Sequence, residues 1–96
     1  MRLLTIIYDS GIDESMMELL EALGVRNWTR IPDLHGQGGR GPKQMTPVYP
    51  GSNHVLFVAL ADEEVERVRR AIRAFQAQFR LKPGVAIFSQ EVEELG

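Results

Sequence analysis

At 96 residues the chain suffices for one domain, and a fold of this size buries only about 60 to 65 % of the surface its unfolded chain exposes. Apolar residues make up 44 % and charged residues 25 %, which excludes a disordered or fibrous chain. The absence of cysteine excludes disulfides and thiolate metal sites, and a net charge of -2 gives no global attraction to nucleic acid or anionic lipid, so stability must come from packing or association.

The run Leu3 to Tyr8 is apolar and β-branched, and Asp9-Ser10-Gly11 closes it with turn residues, which predicts a first strand. This run is too short for a membrane span and lacks a small-residue cleavage site, so a cytoplasmic protein without membrane insertion is expected. A helix follows, with Asp13 as its expected N-cap and Ile12 and Met17 at the positions of a hydrophobic staple. Met16, Leu19, Leu20 and Leu23 fall on one face, and Gly24 stands where left-handed geometry ends a helix. Val25 to Leu34 predicts a second strand, with Pro32 marking an edge or bulge.

Val55 to Leu60 is the strongest strand signal. Asp62 is the expected cap of a second helix, along which Val65, Val68, Ile72, Phe75 and Phe79 recur at three- and four-residue steps. Its arginines form a solvated face balanced by Glu63, Glu64 and Glu66. Lys82-Pro83-Gly84 has the order of a type II turn, and Val85 to Phe88 gives a last strand. The order β-α-β-loop-β-α-β predicts one α+β domain over residues 1–96, ferredoxin-like (βαββαβ), with an antiparallel sheet and two helices on one face. Neighbouring apolar residues in Leu3-Leu4, Ile6-Ile7 and Val55 to Leu60 make the second sheet face want burial too, and another copy of the chain is the natural cover.

The second and third strands are joined by a long loop, residues 35–52, expected to be flexible; loops beyond about 12 to 15 residues are usually functional or disordered. No acidic residue lies between Leu34 and Ala61, while Arg40 and Lys43 are basic. Gly36, Gln37, Gly38 and Gly39 let successive backbone N–H groups converge on an anion beside Arg40 and Lys43, although these residues serve equally as a solvated glycine-rich hairpin. His35 and His54 stand at the two ends of the loop, where a shared divalent metal competes with an ordinary hairpin role. Tyr49 and Trp28 are stacking candidates or packing residues. No constellation of nucleophile, base and carboxylate points to an enzyme. The strand from His54 to Val58 lacks the aromatic and basic pattern of an RNA-binding sheet, so no nucleic-acid partner is expected.

The strand end Arg30-Ile31-Pro32-Asp33-Leu34-His35-Gly36-Gln37-Gly38, the following Arg40, the stretch Thr46-Pro47-Val48-Tyr49-Pro50-Gly51 and the helix start Ala61-Asp62-Glu63-Glu64-Val65 resemble the nitrogen regulatory P-II family over nearly the whole chain. The resemblance implies a homotrimeric signalling protein in which a Gly-x-Gly-Arg segment opens the T-loop and helps hold ATP or ADP between subunits. It implies a regulated partner protein met through the loop, with Tyr49 a partner-binding residue. The departures are specific. Gly39 intrudes before Arg40, His54 takes the place of a tyrosine modified in some members, and Ala86 stands where a phosphate-binding lysine is expected. The sensed ligand is therefore read as a small anion, an adenine nucleotide among the candidates. The alternative is a trimeric CutA-like divalent-metal protein using His35 and His54, which the absence of loop carboxylates disfavours.

Overall fold

The computed structural model describes residues 1–35, 37, 38, 41, 42 and 52–96, with backbone alone at 37, 38, 41 and 42. In chain order the elements are β1 (Arg2–Asp9), α1 (Asp13–Ala22), β2 (Trp28–Leu34), β3 (Gln37–Gly38), β4 (Gly41–Pro42), β5 (Asn53–Leu60), α2 (Val65–Gln76) and β6 (Val85–Glu91). Short 3-10 turns, Ser10–Ile12 and Asp62–Glu64, lead into the two helices. The main sheet runs β2-β5-β1-β6 with every neighbour antiparallel, the ferredoxin-like α+β arrangement that the element order predicts.

Alternation along the strands decides which side chains meet the helices. Leu4, Ile6 and Tyr8 of β1 stand opposite Val58, Leu56 and His54 of β5, and all six are buried. Met16 and Leu20 of α1 and Val68 and Ile72 of α2, each pair four residues apart on its helix, close the same core. Removing one such side chain, as in Leu20→Ala, is expected to cost about 2–5 kcal/mol through lost burial and the cavity left behind.

Several termini differ from the expected ones, and three of them have reasons local to the helix ends. Val25 belongs to the end of α1 rather than to β2: Gly24 adopts φ +76°, its N–H donates to the Glu21 carbonyl at 2.9 Å, and the Val25 N–H donates to the Leu20 carbonyl at 2.9 Å. This paired closure also buries Val25 beside Leu20. Asp13 is not the N-cap. Asp9 accepts the Gly11 N–H at 2.9 Å and caps the preceding turn, which leaves Asp13 in the first helical turn with its carboxylate free for other partners. Asp62 likewise caps nothing, because Ala61 holds the cap position and the Asp62 carboxylate pairs with the amino group of Met1 at 2.9 Å.

Phe79 lies beyond the end of α2 and meets Phe75 edge-on at 5.1 Å. Arg67, Arg69 and Arg70 pair with Glu64 and Glu66 on the exposed face, as the charge pattern predicts. β6 extends past Phe88 to Glu91 because Arg2, Leu3 and Leu4 of β1 still offer partners to Glu91, Gln90 and Ser89. Between β2 and β5, Gln37 pairs with Pro42 and Gly38 with Gly41, so the expected loop contains a short ladder of its own. No helix among the described residues is long and apolar enough to cross a membrane.

Candidate functional site

The expected ligand residues Gly36, Gly39, Arg40 and Lys43 and the expected partner residue Tyr49 lie outside the described residues, while Gln37 and Gly38 form β3. His35 follows β2 and is exposed. His54 is 6 % exposed and sits on the helix side of β5, facing a cluster that sequence reasoning did not single out.

Four elements build that cluster. β1 supplies Tyr8, which is 1 % exposed and directly opposite His54 in the ladder; their rings meet edge to face at 5.7 Å. β2 supplies Arg30, opposite Leu56 and therefore on the same face, and the first turn of α1 supplies Asp13 from above. The Tyr8 hydroxyl donates to Asp13 Oδ1 at 2.5 Å, and Arg30 grips both carboxylate oxygens, Nε to Oδ1 at 3.0 Å and Nη2 to Oδ2 at 2.7 Å. This is the planar two-point pairing that a guanidinium makes and an ammonium does not.

The electrostatics follow from this geometry. Burial raises the Asp13 pKa, yet the hydrogen bonds from Arg30 and Tyr8 and the Arg30 charge outweigh it and hold the carboxyl below its ordinary value. Its place at the start of α1 also sets the carboxylate against the positive end of the helix dipole. Burial first, and the Asp13 hydrogen bond second, push the Tyr8 phenol well above its ordinary value. Asp13 thus accepts from three donors, two on Oδ1 and one on Oδ2, and the cluster ties α1 to β1 and β2.

The cluster touches the point where β2 leaves the sheet. Ile31 pairs with Val55 and Leu34 with Asn53, so three steps on β2 match two on β5 and the extra residue forms a bulge next to Pro32. Asp33 there holds φ +61°, and its N–H donates to Nδ1 of His54 at 3.0 Å instead of to a strand carbonyl. An accepting Nδ1 places the imidazole proton on Nε2, which lies 3.8 Å from Asp13 Oδ2. With Nδ1 engaged in this way and no group of three His, Asp or Glu suited to a metal among the described residues, nothing described favours the metal alternative. The parity of the ladder was the missed signal: Tyr8, Arg30 and His54 occupy helix-facing positions, and polar groups there must find partners.

Comparison with known proteins completes the description. The family described as nitrogen regulatory protein P-II matches residues 1–96. No curated protein is significantly similar in sequence. Among solved structures, CPII from Thiomonas intermedia K12, a nitrogen regulatory PII-like protein bound to ADP, AMP and bicarbonate, is 20% identical with a TM-score of 0.68, covering 95% of this chain and 86% of its own. The same protein bound to ADP and bicarbonate is 21% identical at a TM-score of 0.69, with 95% and 86% covered. Its apo form is 19% identical at 0.64, covering 95% of this chain and 89% of its own. These likenesses show a shared fold.

Proposed function

Since the chain belongs to the nitrogen regulatory protein P-II family, we propose that it is a homotrimeric regulatory protein that senses a small anionic ligand, an adenine nucleotide, and binds a partner protein through residues 35–52. The observation that carries this reading is the family match across the whole chain, joined to a fold shared with a relative that binds ADP. The composition of the loop supports it: a glycine-rich stretch that carries Arg40 and Lys43 and no acidic residue has the residue types that hold an anion. The regulatory role fits a protein whose buried polar groups are paired with one another rather than set out for catalysis. Ala86 in place of the family's lysine lies on β6 opposite Ile7 and removes one cation from the anion's surroundings. ADP or AMP, which carry less charge than ATP, are therefore the favoured ligands.

Calorimetric titration with ADP, AMP and ATP, each with and without bicarbonate, tests the proposal. Arg40→Ala is expected to weaken ADP binding by about 1.5–3 kcal/mol, the loss of one charged donor, and Lys43→Ala by less. No binding of any of these compounds at millimolar concentration would remove the nucleotide from the reading.

A further inference from the structure

We propose that His54 is a pH-sensitive latch on the bulge that ends β2, closed when its imidazole is neutral and released when it is protonated. The latch is the single bond from the Asp33 N–H to Nδ1 of His54, 3.0 Å long and formed at a residue with φ +61°. Aspartate tolerates that left-handed conformation better than most residues, and the bond to His54 helps hold Asp33 in it. A neutral imidazole has one acceptor nitrogen, whereas an imidazolium has two donors and none. Protonation thus sets N–H against N–H at this contact, and the bond that helps hold Asp33 is lost.

The surroundings make this a local event. From α1, Asp13 Oδ2 lies 3.8 Å from Nε2 and supplies a countercharge inside a site where the imidazole is 6 % exposed. From β1, Tyr8 presents its ring edge-on, and its hydroxyl is committed to Asp13. From β2, Arg30 turns its charge onto Asp13, and Asp33 faces His54 through its N–H. An imidazolium paired with Asp13 can remain in place while its other nitrogen gives up the bulge. Beyond that bulge one pair, Leu34 with Asn53, joins β2 to β5. Loss of the Asp33 bond therefore acts on the last residues of β2, two positions before the chain enters the 35–52 segment.

The test follows His54 and the Asp33 amide together by nitrogen-resolved NMR on the full chain, across the range of about pH 5–8 in which imidazoles titrate. Above the His54 midpoint, Nδ1 should be unprotonated and the Asp33 amide protected from exchange. Below it, the Asp33 protection factor should fall about tenfold or more, the loss expected for one hydrogen bond, in step with His54 protonation and with core amides such as that of Ile6 unchanged. His54→Asn offers an amide oxygen near the place of Nδ1 without a titrating proton, and should keep Asp33 protected at every pH. An Asp33 protection factor that stays constant while His54 protonates would overturn the latch. So would a His54 that stays neutral down to pH 5, or the same pH dependence in the asparagine variant; if that variant does not fold, the measurement on the unmutated protein decides. The inference rests on the proposed function only for its consequence, that ADP affinity follows the His54 midpoint and becomes pH-independent in His54→Asn. Failure of ADP to bind at any pH would count against that function and leave the latch to be judged by the Asp33 amide alone.

Discussion

Asp13 is where local chemistry and tertiary structure part company. An aspartate ahead of an apolar helical stripe reads as a cap, but Asp9 takes that work through the Gly11 N–H and frees Asp13 to accept from Tyr8 and Arg30. Asp13→Asn should therefore destabilise the protein by about 1–3 kcal/mol at neutral pH, since a buried phenol and a guanidinium lose their anionic acceptor. Because the folded state lowers the Asp13 pKa, its contribution is complete above the ordinary value of 3.8 and disappears as pH falls through the folded one. Urea denaturation at a series of pH values should show the gap between the two proteins closing below about pH 4. Tyr8 has the opposite sign. Its pKa is raised, so the stabilisation it brings is present below 10.0 and is lost as pH climbs beyond. Tyr8→Phe should be less stable by about 0.5–1.5 kcal/mol at neutral pH, with the deficit shrinking above about pH 10, where the unmutated protein alone loses stability through the phenol.

Element by element, the sequence was most legible where one signal acted alone. The apolar runs of β1 and β5 and the periodicity of α2 placed the sheet and its helices, and Gly24 marked the end of α1. The bulge was legible only in part: Pro32 indicated an irregular edge, whereas the left-handed Asp33 depends on a histidine 21 positions away. The Tyr8–Asp13–Arg30–His54 cluster was not legible because its members come from four elements and meet only after the register is fixed. Gln76 shows the same effect at the other end of the molecule. A glutamine on the last turn of α2 reads as solvated, yet it is buried, its Nε2 donates to the Pro83 carbonyl at 2.6 Å, and its Oε1 accepts from Arg73 at 2.7 Å. Arg73 also donates to the Val85 carbonyl at 3.1 Å, so the pair clips the segment before β6 onto the helix, a segment that is not the expected type II turn because Gly84 lacks the positive φ that turn requires. Gln76→Leu should keep the volume but orphan the Pro83 carbonyl, lowering stability by about 1–3 kcal/mol. Hydrogen exchange should show faster opening over Val85–Ile87 than over β1; equal rates would mean that the ladder with β1 alone anchors β6.

For the whole molecule the decisive feature is the sheet face that neither described helix covers. The register puts Ile7, Val55 and Ile31 in one row across three strands, with Thr5, Phe57 and Phe88 close by on the same side. Val55 is buried although it lies outside the helix-side core, shielded by its neighbours in this row. Phe88 and Ile31 remain 59% and 41% exposed. A thin core beneath one face and an apolar second face favour burial of that face by association, and the proposed trimer supplies the cover. The exposed positions allow a clean test, because a charge at Phe88 or Ile31 meets water in an isolated protomer and costs its folding little. Light scattering of the unmutated protein should give about three times the 10.8 kDa protomer mass, with a melting temperature that rises with concentration. Phe88→Glu combined with Ile31→Glu should shift the mass towards a single protomer while the far-ultraviolet circular dichroism at low temperature stays native, because the charges must be desolvated at an interface and not within the fold. A protein that scatters as one protomer at every concentration, with a melting temperature indifferent to dilution, would mean that this apolar face tolerates water and that the assembly is absent.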